Sequence, residues 1–217
     1  ITRQAESTSA RSIVVGDQIA ATITAETLVD VERVTGQRTN PTLFTDLVGT
    51  NSGTIAPYAL TAVSSGTNSA QLAPANNHPG VIRFTSSTTA NSGVRIMTDV
   101  GHLLLAAGDY FECVFNIVTL TNLTMRIGFI DVTTSADVVD GAYLEVLSTG
   151  VASFKTANNS ARTTNGTTAT LSTATWYRVE IDVNASNDAR CRVYNSDTGA
   201  VVLAEVTNTT NIPGATN

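Results

Sequence analysis

Trp176-Tyr-Arg-Val-Glu-Ile-Asp-Val183 alternates apolar and charged residues, and its reading decides the fold. Successive side chains of an extended chain point to opposite faces, so Tyr177, Val179, Ile181 and Val183 share one face while Arg178, Glu180 and Asp182 share the other. The first face belongs in a core and the second in water, which is the pattern of a half-buried strand.

Working outward, the same period of two recurs over 80–85, 93–99, 109–119, 123–131, 142–147, 151–157, 175–184, 189–195 and 201–207. Clusters of Gly, Asn, Ser, Thr and Asp separate these runs, and helical periodicity is almost missing. Nine such strands fill two sheets, so the expected class is an all-β, two-sheet antiparallel sandwich. Asn184-Ala-Ser-Asn-Asp188 and Asn195-Ser-Asp-Thr-Gly199 read as hairpin connections, with Gly199 where the turn needs a positive φ.

Composition agrees. Of 217 residues 36 are threonine, charged residues are only 14% and aromatics 6%, which favours a polar but uncharged β surface. A net charge of -6 and the lack of any basic patch argue against nucleic acid as a partner. The longest apolar run, Leu103 to Ala107, is too short for a membrane span or a secretory core segment. The chain does not begin with Met, as expected of a processed start or of a piece of a longer protein. Cys113 and Cys191 alternate with apolar neighbours like small buried hydrophobes; their spacing is not that of a zinc site, and it leaves a disulfide between them open.

Residues 1–41 read differently and form an expected N-terminal arm, for anchoring or oligomerisation, with the sandwich over 42–217. Residues 1–11 are polar, whereas 12–34 are apolar and rich in β-branched residues. Leu28, Val31 and Val34 recur at threes, which fits a short helix between Thr24 and Gly36; the Thr and Val content favours strand. Pro41 marks the boundary, because the residue before a proline is pushed out of the helical region. An apolar arm outside a complete sandwich must bury itself on a sheet edge or on another subunit.

The order of landmarks from Leu43 onward resembles the concanavalin A-like jelly-roll domains of tailed-bacteriophage fibres, spikes and capsid decoration proteins. The resemblance rests on Asn77-His-Pro-Gly-Val-Ile-Arg-Phe-Thr85, Tyr110-Phe-Glu-Cys-Val-Phe115, Arg126-Ile-Gly-Phe-Ile-Asp131, Asp140-Gly-Ala-Tyr143, the Trp176 strand and Asn211-Ile-Pro213. It implies a jelly roll on a virion surface, in capsid decoration, a head fibre or a tail fibre. Its implied partners are other virion proteins and copies of itself, most often as a homotrimer. Similar domains continue past the Asn-Ile-Pro turn into a final strand; its lack here is what truncation, disorder or completion by a neighbouring chain would give, with residues 12–34 of the arm a candidate for the complementing strand.

The chemical inventory is poor for catalysis. Polysaccharide-cutting enzymes of the resembled fold carry alternating carboxylates, which sets a nucleophile and an acid about 5 Å apart on one face. The nearest match is Glu180-Ile-Asp-Val-Asn184, where Asn184 replaces the needed acid, so an exposed polar strand face with Arg178 beside Glu180 and Asp182 is the expected reading. His78 and His102 are the only imidazoles, and both read as turn or strand-entry residues. No Gly-x-Ser-x-Gly elbow is present, so the chain is expected not to be an enzyme. No cofactor is expected; if a metal binds, it is Ca2+ on Asp131, Asp137 and Asp140, acids that serve equally well as turn formers. For a carbohydrate-binding alternative, recognising a cell-surface glycan through a fibre tip or lectin-like module, the stacking candidates are Tyr143, Tyr194 and Trp176. The sequons at Asn122, Asn158, Asn165, Asn184 and Asn208 are what a chain so rich in Asn and Thr carries by chance.

Overall fold

The computed structural model describes residues 54–55, 58–63, 67–72, 81–85, 93–97, 105–132, 134 and 136–214. The expected arm over 1–41, its boundary at Pro41, and both histidines lie outside these residues. The described elements are all strands: β1 (Thr54–Ile55), β2 (Tyr58–Val63), β3 (Thr67–Leu72), β4 (Val81–Thr85), β5 (Gly93–Met97), β6 (Tyr110–Asn116), β7 (Thr124–Ile130), β8 (Gly141–Leu147), β9 (Val151–Asn158), β10 (Ala161–Thr170), β11 (Trp176–Val183), β12 (Ala189–Asn195) and β13 (Val201–Asn208). Among them no helix is long and apolar enough to cross a membrane. Each of the nine expected strands has a counterpart.

Two four-stranded antiparallel sheets carry the fold, in the orders β10-β9-β8-β7 and β13-β12-β11-β6. The chain thus lays down β6 in the second sheet, crosses for the β7 to β10 meander, and returns for β11 to β13, docking β11 against β6. Strands β1, β2 and β5 form a smaller sheet, and β3 pairs with β4.

β11 shows how the alternating sequence becomes packing. Tyr177, Val179, Ile181 and Val183 are buried, in step with Ala189, Cys191 and Val193 of β12. Ala142, Leu144 and Val146 of β8 and Ala152 and Phe154 of β9 belong to the same core cluster. Phe111 of β6 meets Phe129 of β7 edge-on, with ring centroids 5.8 Å apart. Cys113 and Cys191 are free thiols facing the core. β6 and β12 flank β11 on opposite sides, about 10 Å apart at the usual strand spacing, too far for a disulfide. Burial pushes the Cys113 thiol up to about 11 and the Cys191 thiol to about 12, so both are inert small hydrophobes.

β10 was not expected from its sequence, Ala161-Arg-Thr-Thr-Asn-Gly-Thr-Thr-Ala-Thr170, because it offers no apolar alternation. It is held by β9 on one side and by a polar seam to β13 on the other. Asn208, 3% exposed, donates from Nδ2 to Thr156 Oγ1 (3.3 Å) and to the Thr163 carbonyl (3.4 Å). Asn165 Nδ2 donates to Asn208 Oδ1 and to the Thr207 carbonyl, both at 3.1 Å. Thr156 Oγ1 donates to the Thr210 carbonyl at 2.8 Å, and Asn211 Nδ2 donates to Thr163 Oγ1 at 2.9 Å. Side-chain amides and hydroxyls thereby join the sheet edges β10 and β13, which share no backbone ladder.

The two sheets pack tightly at Gly128 in β7. Its φ is +140°, and a Cβ there would stand 2.5 Å from the Ala142 carbonyl oxygen and 2.8 Å from Ile181 Cδ1 of β11. Gly128→Ala therefore combines backbone strain with overpacking and is expected to cost about 3 kcal/mol or more. Urea unfolding checks this, and an unchanged midpoint would show that the sheets do not meet there.

Candidate functional site

The pleat that buries one face of β11 delivers its charges to the other. Arg178, Glu180 and Asp182 lie opposite Tyr194, Arg192 and Arg190 of β12, and opposite Val114, Glu112 and Tyr110 of β6. Glu180 thus has a carboxylate, Glu112, directly across on one side, an arrangement that destabilises a sheet unless cations intervene. Arginines supply them. Arg178 Nη1 lies 3.1 Å from Glu180 Oε1, and Arg192 Nη1 lies 3.8 Å from Glu180 Oε2 and 3.2 Å from Asp182 Oδ1. Arg190 donates from Nε to Asp182 Oδ2 at 2.9 Å and pairs with it again through Nη2. Arg192 Nε donates to Glu205 Oε2 on β13 at 2.9 Å. Tyr110 Oη donates to Glu112 Oε2 at 2.6 Å, and the Arg178 guanidinium sits over the Tyr194 ring, 4.7 Å from its centroid.

The result is a continuous ion-pair lattice across β11, β12 and β13, with the Tyr110–Glu112 pair of β6 beside it. Glu205 is the lattice member, and Glu112 the facing carboxylate, that sequence reasoning missed, because only strand pairing reveals which residues stand beside one another. Asn184 lies off this face in the turn. Its Oδ1 accepts from the Ser186 and Asp188 amides at 2.8 and 2.9 Å, as expected of that hairpin.

The outer face of the other sheet is covered in part, around Tyr143 and Ala157. Residues 136–140 of the β7–β8 loop fold back over it, placing Val138 against Tyr143 and Ala157 in a second small core. Tyr143 is 1% exposed, so this loop leaves it no ring face for a sugar and corrects its reading as a surface residue. Tyr194 and Trp176 are half-buried on the outer face of the second sheet, with Tyr194 opposite Arg178 and Trp176 two residues along β11.

The three loop acids do not converge on a common point. Asp131 Oδ1 accepts from the Val139 amide at 3.1 Å, and Asp140 Oδ1 accepts from the Asn159 amide at 2.8 Å. Asp137 pairs with Arg126 at 2.8 Å and with Arg162 at 3.8 Å. Among the described residues no three His, Cys, Asp or Glu side chains stand close enough together to hold a metal ion. Turn formation and loop strapping account for all three acids: Arg126 Nη1 donates to the Ala136 carbonyl at 2.9 Å and Arg162 Nε to the Val138 carbonyl at 3.1 Å.

Beneath this loop Glu145, 6% exposed, is clamped between Arg126, whose Nε donates to Oε2 at 3.0 Å, and Lys155, which binds Oε1. Burial alone would raise its carboxyl, but the bonds to Lys155 and Arg126 outweigh burial and hold it below the usual carboxylate range. A carboxyl depressed in the folded state stabilises above its unfolded value near pH 4.3, and that contribution is lost as pH falls through the folded value. Glu145→Gln is therefore expected to destabilise by about 3 kcal/mol at pH 7, the low end for breaking a buried pair. The gap from the parent should close below about pH 4. Melting curves of both proteins from pH 3 to 7 check this; a gap that does not depend on pH would contradict it.

The matched family model, SO2946-like, C-terminal domain, covers residues 77–217, and the chain belongs to this family. The fold is similar to the crystal structure of SO2946, a protein of unknown function from Shewanella oneidensis MR-1. The TM-score is 0.64 at 18% identity, over 92% of this chain and 84% of that one. No curated protein matches the chain.

Proposed function

We propose that the chain is a non-enzymatic structural module of a bacteriophage particle surface, a jelly-roll sandwich whose arm over residues 1–41 anchors it to the particle or to sister chains. One observation carries the non-enzymatic part. Glu180 and Asp182, the carboxylates best placed for glycoside chemistry, are engaged by Arg178, Arg190 and Arg192. These ion pairs engage the carboxylate oxygens that such chemistry would need to present to a substrate. The virion setting is supported by the sequence resemblance, which is a fold-level analogy. Solution mass tests it: light scattering should find residues 1–217 as a stable oligomer, with a trimer expected, and residues 41–217 as a monomer or an aggregate. Two well-behaved monomers would remove the arm's assembly role.

A second reading, glycan recognition, is favoured by the neighbouring Trp176, Arg178 and Tyr194 on one open sheet face. It requires specific hits on a glycan array that Tyr194→Ala abolishes, whereas a purely structural module gives none.

A further inference from the structure

We propose that Asn165-Gly166 is a site of spontaneous deamidation, at which the chain's own backbone is the nucleophile and the product unlatches β10 from β13. Asn followed by Gly is the pair least hindered toward this reaction, since Gly lacks the Cβ that would shield its amide nitrogen. The β9–β10 ladder breaks between Thr164 and Thr168, so Asn165 and Gly166 have no register partners in β9. Gly166 is exposed, with open space where a Cβ would stand. Asn165 Oδ1 accepts from the Thr167 amide at 3.0 Å, closing a ring that contains both Asn165 Cγ and Gly166 N. That bond also draws electron density from the side-chain carbonyl, which makes Cγ more electrophilic.

The chemistry balances without any reagent but water. Gly166 N attacks Asn165 Cγ and forms a C–N bond. The side-chain nitrogen departs as ammonia, taking up the proton that Gly166 gives up, and a succinimide remains. Water then opens either succinimide carbonyl, leaving aspartate or isoaspartate at position 165.

The seam fixes what this does to the fold. The lost amide was the donor to Asn208 Oδ1 and to the Thr207 carbonyl, both at 3.1 Å, and the new carboxylate meets the same two acceptors without a proton to offer. Asn208 cannot turn its own amide to compensate, because its Nδ2 is bonded to Thr156 Oγ1 and the Thr163 carbonyl and would leave both. A charge is thus placed against a buried acceptor within the seam that joins these edges through side chains.

The test is incubation of the full chain at mildly alkaline pH, followed by peptide mapping by mass spectrometry, beside the same chain in urea. The expected result is amide-to-acid conversion at position 165 in the folded protein, ahead of its other asparagines and severalfold slower in Gly166→Ala. Asn165→Asp should reproduce the aged protein, melting a few degrees below the parent. Position 165 staying intact in the folded protein while the unfolded chain converts would overturn the site. Asn165→Asp melting with the parent would overturn the unlatching.

Discussion

The pleat of β11 is the constraint on which the rest depends. A strand between β6 and β12 cannot bury Tyr177, Val179, Ile181 and Val183 without lifting Arg178, Glu180 and Asp182 onto the outer face. Once there, Glu180 stands opposite Glu112, and the sheet is stable only if cations are interleaved. Arg178 on β11 and Arg192 on β12 fill that role for Glu180, and alternation in β12 brings Arg190 and Arg192 together to the outer face, where both meet Asp182. Core and charge lattice are therefore one decision, made by the register of a single strand, and a slip by one residue would bury three charges and expose four apolar side chains.

The two outer faces are finished differently. On the β7 to β10 sheet, residues 136–140 of the β7–β8 loop supply a lid whose Val138 covers Tyr143, and the guanidinium groups of Arg126 and Arg162 strap it by its carbonyls. On the other sheet the lattice stays open to water. The sandwich edge at β10 and β13 is closed by amides and hydroxyls, a use for Asn and Thr that composition hints at but cannot locate. Abundant threonine suits the exposed pleats, while Asn165 and Asn208 do the joining.

Strands with clean alternation were legible from sequence because burial of one face writes itself into the residue order, as in β11 and β12. β10 was not legible: its partners at the seam are polar, so its inward and outward positions carry the same residue types. Asn184 and Gly199 were readable as turn residues, and both turn, with Gly199 at φ 74°. Tyr143 was misread, and the partners of the loop acids were invisible, for one reason. Sequence shows that a loop is polar, but not that it folds back over its own sheet, where a tyrosine becomes core and aspartates become caps and guanidinium partners. Glu145 and Glu112 likewise gain meaning only from what strand pairing sets beside them.

The family and the fold likeness leave the outer face of β11 as the place where a structural and a chemical account diverge most. In the structural account Asp182 is kept because it neutralises Arg190 and Arg192, so it adds to stability; functional carboxylates are often held at a cost that their removal recovers. The most direct measurement is urea unfolding of Asp182→Asn beside the parent at low salt. The account predicts a loss of about 1–2 kcal/mol. A variant more stable than the parent would contradict it and mark the carboxylate as retained for chemistry.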